Sequence, residues 1–198
     1  IFLILAIVIV AAWFCMGYVG FPAAILRGHE LDIGDRDSYR GTSWDKYYDE
    51  IMEGIRWIES RERERVEILS DDGLRLVGRL TVNPGAKGIV LMFHGYRTHP
   101  EIDFSASSHV YYNAGNHILH IDQRASGESE GKYIGFGVVE SRDCKRWCEY
   151  AGQRFGEDIK IYIAGLSMGA STVLMAAGRG LPENVCGIVA DSAFSSPA

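Results

Sequence analysis

What this chain of 198 residues lacks narrows the choices first. It has no internal repeat and no low-complexity tract, so solenoid and disordered architectures are excluded. It has no excess of positive charge. A formal net charge of -6 argues against a nucleic-acid partner, because phosphate binding needs clustered Lys and Arg. Four cysteines do not make a disulfide framework. Cys15 lies in an apolar N-terminal run and Cys186 in a strand expected to be buried. Cys144 and Cys148 fall at i,i+4 on a helix, where they read as small core-facing side chains. A bridge along one helix is geometrically poor, and a metal site needs further ligands nearby. The cysteines therefore assign no redox compartment. Residues 1–26 contain no charged residue and no histidine. The chain also lacks an initial Met, and it stops at Pro197-Ala198 just after a strand-like segment, which reads as a fragment.

What is present describes a globular protein with 47% hydrophobic and 23% charged residues, enough for one domain with a real core. Ile1 to Val19 as a helix spans roughly 28 Å at about 1.5 Å per residue, close to the roughly 30 Å hydrocarbon core of a bilayer. Trp13 and Tyr18 suit an interface, and Pro22 with Arg27 marks the exit. The reading is a single-pass membrane anchor over residues 1–26, with neither side of the membrane specified. A cleaved signal peptide is the alternative, although this run is longer than its usual apolar region and has no obvious cleavage site.

Residues 27–60 read as a polar juxtamembrane linker followed by an amphipathic helix. Trp44, Tyr47, Tyr48, Ile51, Met52, Ile55 and Ile58 recur at steps of three and four, with Ser43 as the expected cap. Residues 61–198 then switch pattern. Arg65–Leu69 and Leu74–Val82 alternate around Asp71-Asp72-Gly73, as in an antiparallel hairpin. Asn83-Pro84-Gly85 is a turn. The continuous apolar run Gly88–Phe93 predicts a strand covered on both faces. Further strands are expected at His117–Ile121, Ile159–Ala164 and Val185–Ala190, and helices at Phe104–Asn113, Val138–Phe155 and Ser167–Gly178. The implied fold is α/β: a hairpin, then a mostly parallel sheet with helices on both faces and right-handed crossovers. Ligands should sit at the C-terminal ends of its strands.

Three loops fall at such ends. Gly165-Leu166-Ser167-Met168-Gly169 is a G-x-S-x-G sequence between a strand and a helix, the pattern of a nucleophile elbow. A serine at so sharp a turn adopts a strained backbone, and the residues two before and two after must be small. The following helix N-terminus points amide donors at developing negative charge. Phe93-His94-Gly95-Tyr96 ends the first buried strand, and Gly95 lets backbone approach the site. The amides of Tyr96 and Met168 are candidate oxyanion donors, with His94, Gly95, Gly165 and Gly169 shaping the site. The third loop runs from Asp122 to Gly131. In it Asp122 and Arg124 can pair or bond backbone and hold the turn.

These motifs resemble the α/β-hydrolase superfamily, in particular bacterial membrane-anchored members related to prolyl-oligopeptidase-like serine hydrolases. The resemblance runs from about Arg65 to Pro197. It is carried by HGY at 94–96, D-x-R-x-x-G-x-S from Asp122 to Ser129, and GLSMG at 165–169. Ser126 stands where many relatives have histidine. The resemblance implies a Ser…Asp…His order whose acid and base follow later strands, beyond residue 198. Asp191 can serve as an acid or simply cap its turn, and none of His29, His94, His99, His109, His117 and His120 has the topological position of a base. The expected function is a serine hydrolase forming an acyl-enzyme on Ser167. Its substrate is a small-molecule ester or thioester, with no metal or organic cofactor, and this fragment is expected to be inactive. A serine peptidase and a non-catalytic binding protein of the same fold are the alternatives.

Overall fold

The computed structural model describes residues 2–195, so Ile1, Ser196, Pro197 and Ala198 lie outside the described residues. Its frame is a six-stranded sheet in the order β1-β2-β4-β3-β5-β6. β1 (Glu64–Leu69) and β2 (Arg75–Thr81) form the antiparallel hairpin, and β2 pairs antiparallel with β4 (Asn116–Asp122). β3 (Gly88–Phe93), β4, β5 (Lys160–Leu166) and β6 (Val185–Asp191) run parallel. The hairpin, the parallel core and the strand positions match the sequence pattern.

β3 shows why its sequence is apolar throughout. Ile89, Leu91 and Phe93 project into one core with Trp147, Cys144 and Cys148 of α6 (Glu140–Phe155) and Val173 and Ala176 of α7 (Met168–Ala177). Val90 and Met92, at the alternate positions, pack with Phe104, Tyr111 and Tyr112 on the opposite face. A period of two in a strand sends neighbours to opposite faces, and both faces here are covered. Cys144 and Cys148 are fully buried on the inner side of α6. Burial raises the Cys144 thiol well above its ordinary range, as suits a packing residue rather than a reactive one.

Several expectations need correction. The helix expected at Phe104–Asn113 is confined to α5 (Ser108–Asn113): Phe104–Ser107 are turn, and a separate short α4 (Pro100–Asp103), with Pro100 at its start, precedes them. α6 begins at Glu140, not Val138. α3 (Tyr48–Glu59) follows a 3-10 turn at Asp45–Tyr47, and Ser43 caps neither; the Thr42 hydroxyl accepts from the Trp44 amide instead. β6 is largely exposed, and Cys186 with it, because it forms the outer strand of the described sheet. Residues 27–43 include α2 (Arg36–Tyr39) and bury Tyr39 completely beside Ile51, Ile55 and Ile102.

α1 (Phe2–Ile25) is the one long apolar helix among the described residues. Ile7–Ile25 has a mean hydropathy of 1.9 and is long and apolar enough to cross a membrane. Trp13, Phe14 and Tyr18 stand clear of the domain.

Candidate active site

The chain passes from β3 to β4 on one side, then returns to place β5 on the other. Such a switch in strand order leaves a crevice at the carboxyl ends of the strands. Phe93 is in register with both Ile121 and Gly165, and Gly165 with Ala190. The three loops singled out in the sequence therefore emerge together.

Ser167 sits between β5 and α7 with φ 54° and ψ -112°, a backbone conformation that L-residues rarely adopt. Its amide donates to the Asp191 carbonyl at 2.8 Å, and its carbonyl accepts from the Ser171 amide at 3.1 Å. Small neighbours make the turn fit. A Cβ on Gly165 would overlap the Gly169 carbonyl, and one on Gly169 would overlap the Phe93 carbonyl and lie 2.7 Å from the His94 oxygen. The side chain of Ser167 faces the β3 loop: a Cβ on Gly95 would be 3.5 Å from that of Ser167. Among the described residues, no protein acceptor takes the Tyr96 or Met168 amide.

Behind these groups lies a buried polar network. The Gln123 amide N–H donates to His94 Nε2 at 3.2 Å, so His94 carries its proton on Nδ1, which donates to the Gly95 carbonyl at 2.7 Å. The Gln123 side chain donates to the His94 carbonyl at 2.6 Å and accepts from the Thr172 hydroxyl at 3.1 Å. Thr172 also lies 3.0 Å from the Met168 carbonyl. Asp103 holds the loop from the other side, accepting from the Gly95 amide at 2.6 Å and the Thr98 hydroxyl at 2.7 Å. Burial pushes the Asp103 carboxyl up, although both of these donors favour its charged form. Sequence reasoning gave no role to Asp103, Gln123 or Thr172. Gln123 lies inside a motif already marked, and Thr172 lies one helical turn beyond Met168. Asp103 carried no local signal.

Asp122 and Arg124 do not pair with each other. Asp122 bonds Arg79 at 2.9 Å and the Glu128 amide at 2.9 Å, and its carbonyl accepts from the Ser129 hydroxyl at 2.6 Å. Arg124 forks onto Asp143 at 2.6 and 2.7 Å and onto Asp72 at 3.0 Å. Burial raises the Asp143 carboxyl to about 6, against the pull of Arg124. The hydroxyl of Ser126 is buried without a partner.

Among the described residues, no histidine bonds Ser167. Both ring nitrogens of His94 are committed, His117 accepts from the Asn83 amide at 3.0 Å, and His99 lies 3.3 Å from Glu30. His109 meets the Trp57 edge, and His29 is exposed in the segment after α1. His120 bonds Ser108 at 2.9 Å, but that serine is fully buried and unreachable. The Asp191 carboxylate accepts from the adjacent Ser192 hydroxyl at 2.9 Å. Among the described residues, no group of three or more His, Cys, Asp or Glu side chains is placed to hold a metal ion.

No family model matches the chain. Thiohydrolase aneE of Aspergillus aculeatus is 36% identical over 73 residues, which are 37% of this chain and 23% of that protein. The crystal structure of the Pyrococcus furiosus esterase Pf2001 superposes with a TM-score of 0.59 at 30% identity, covering 68% of this chain and 52% of that one. The α/β hydrolase GrgF from Penicillium sp. sh18 superposes with a TM-score of 0.58 at 21% identity, over 64% of this chain and 44% of that one. The chain thus spans about half the length of the esterase and about a quarter of the thiohydrolase. With its hairpin, parallel core and strained strand-to-helix serine, the chain has the α/β-hydrolase fold.

Proposed function

We propose that the protein is a serine hydrolase that cleaves esters or thioesters of small molecules through an acyl-enzyme on Ser167. The observation that carries this reading is the strained backbone of Ser167, held at the start of α7 against the β3 loop. In the proposed mechanism the Ser167 oxygen attacks the acyl carbon while a base takes its proton. The amides of Tyr96 and Met168 stabilise the resulting oxyanion, and each such donor is worth about 10²–10³ in rate. Collapse expels the alcohol or thiol, and water then releases the acid. His94, Gly95, Gly165 and Gly169 set the backbone around the serine, while Asp122 and Arg124 support the neighbouring loop.

Similarity to an esterase and a thiohydrolase favours ester and thioester substrates over peptides. The HGY and GLSMG motifs keep a kinship with prolyl-oligopeptidase-like hydrolases within the proposal. Because no described histidine reaches Ser167, residues 1–198 alone are proposed to be silent and the full-length protein active. A lone serine hydroxyl is a weak nucleophile at neutral pH. The apolar α1 is proposed to anchor the protein as a single membrane span, since so much exposed apolar surface is unfavourable in water.

A fluorophosphonate probe on the full-length protein tests the chemistry. Labelling is expected in the wild type and absent in Ser167→Ala. Persistent labelling of Ser167→Ala, or none in the wild type, overturns the serine mechanism, and the latter points to a binding protein. Ester turnover by purified residues 27–198, abolished by Ser167→Ala, overturns the silence of the fragment.

A further inference from the structure

The last turn of an α-helix leaves its carbonyls without partners, and the solution found here ties α1 to the site. The Tyr96 hydroxyl donates to the Ala24 carbonyl at 2.8 Å. The Arg97 guanidinium donates to the Ala23 carbonyl at 2.6 Å and the Leu26 carbonyl at 3.1 Å, setting a cation at the negative end of the helix. The Ile134 amide donates to the Ile25 carbonyl at 2.6 Å, and Leu26 bridges to Tyr133. Just beyond, Arg27 donates to the Ser129 carbonyl at 2.9 Å and also to that of Gly127, while Glu30 accepts from the Gly127 amide at 3.0 Å. The helix end and the chain after it are therefore strapped across two loops of the candidate site.

The consequence is one of position. Ile25 and Leu26 end the apolar stretch, so if α1 crosses a bilayer they mark its surface. Tyr96, whose own amide is the proposed oxyanion donor, reaches that end with its side chain. Between the two stands an aromatic wall, with the Arg97 guanidinium over the Tyr96 ring at 4.8 Å. Tyr96 stacks on Phe136 at 5.4 Å, Phe136 meets the edge of Phe194 at 6.5 Å, and these rings pack with buried Met168. Phe21, Leu26 and Tyr133 extend the apolar surface outward and remain exposed.

We propose that the mouth of the Ser167 site opens onto the leaflet entered by α1, and that the substrate is an amphiphilic acyl ester or thioester lying in that leaflet. The acyl chain slides from the lipid along Leu26 and Tyr133 to the Tyr96–Phe136–Phe194 wall, and the scissile carbonyl stops at Ser167. Arg27 and Arg97 sit at the height of the lipid phosphates, where cations are favoured. This inference rests on both the hydrolase reading and the anchor reading.

The test uses the full-length protein in phosphatidylcholine vesicles with two fluorogenic esters: a long-chain ester embedded in the bilayer and a short-chain ester in solution. The Leu26→Glu/Tyr133→Glu double variant places charge on the rim without touching Ser167 or its proposed donors. The expected result is at least a tenfold loss on the embedded ester and less than a twofold change on the soluble one. No selective loss on the embedded ester overturns the proposal. If the double variant loses both activities, the single exposed substitution Tyr133→Lys decides by the same ratio. Flotation of the wild type with the vesicles reads the anchor separately, and its failure sinks the proposal through that step. Fluorophosphonate labelling reads the hydrolase separately, and its absence does the same.

Discussion

Replacing Gly169 with Ala adds one methyl group at the most crowded point of the site. That methyl would overlap the Phe93 carbonyl and lie 2.7 Å from the His94 oxygen, where ordinary carbon contacts need about 3.5 Å. Both neighbours are backbone, so neither can rotate aside, and α7 must move away from β3 by on the order of 1 Å. Overpacking of this kind costs about 1–3 kcal/mol. Exchanging Gly for Ala in a helix returns about 1 kcal/mol of that. The net loss should be about 0–2 kcal/mol, a melting shift of several degrees at most for a chain this size. The effect on rate is larger. The loop after β3 carries the Tyr96 amide and α7 the Met168 amide, so the shift separates the two proposed oxyanion donors. Misplacement by about 1 Å can cost about 10² in rate. The assay is the fluorophosphonate labelling rate of the full-length protein beside its urea denaturation. A variant that labels at the wild-type rate refutes the argument.

Other substitutions separate stability from chemistry. Gly152 lies inside α6, where an added Cβ finds only the Asn184 amide at 3.6 Å; Gly152→Ala should raise stability by about 0.5–1 kcal/mol in urea titrations. Arg124→Met strands the buried Asp143 carboxylate and should cost about 3–5 kcal/mol at pH 7. Because burial already raises Asp143 to about 6, it protonates on acidification and the deficit should shrink by pH 5; a pH-independent deficit contradicts this. His120 is depressed from 6.5 to about 4 by burial, with Arg63 and Arg79 adding to the effect and Glu101 opposing it. Its contribution is complete above pH 6.5 and is lost as the pH falls toward 4, because only the unfolded chain takes up the proton in that window. The loss is about 3 kcal/mol, and His120→Gln should remove that part of the slope.

The strand order and the turn at Ser167 follow from patterns a sequence displays directly. An uninterrupted apolar β3 needs two covered faces, and a serine between two glycines at a strand end needs a tight turn. The positioning groups are less visible because they act across the fold. Asp103 stands eight residues from Gly95, at the end of a short helix that starts at Pro100 and whose break after Asp103 no periodicity reveals. Asp122 and Arg124 look like partners from their spacing, yet Arg79 on β2 claims the first, and Asp143 and Asp72 claim the second. A strand such as β6 reads as buried from its composition, but burial depends on what lies beside it. Residues 27–43 read as a tether, although Tyr39 becomes core once α3 and α4 provide a wall.

The network behind Ser167 also explains why a histidine can sit two residues from the proposed oxyanion donor Tyr96 without acting as a base. With Nδ1 donating to the Gly95 carbonyl and Nε2 accepting from Gln123, His94 has neither a free lone pair nor a path to the serine oxygen. Its neutral ring instead fixes the carbonyl of the Gly95–Tyr96 peptide, while Asp103 holds the amide of the preceding His94–Gly95 peptide. Gln123 then joins this peptide to Thr172 and the first turn of α7. The loops after β3 and β4 and the helix after β5 are thus locked by buried hydrogen bonds that move together or not at all. Donors held in this way need little reorganisation when charge develops, which is the condition for an oxyanion site to act on the transition state more than on the ground state. Gln123→Leu, which keeps the volume and cuts the tie to Thr172, should therefore slow labelling of Ser167 far more than it lowers the melting temperature. If the two fall in proportion, the network is a fold element with no part in positioning.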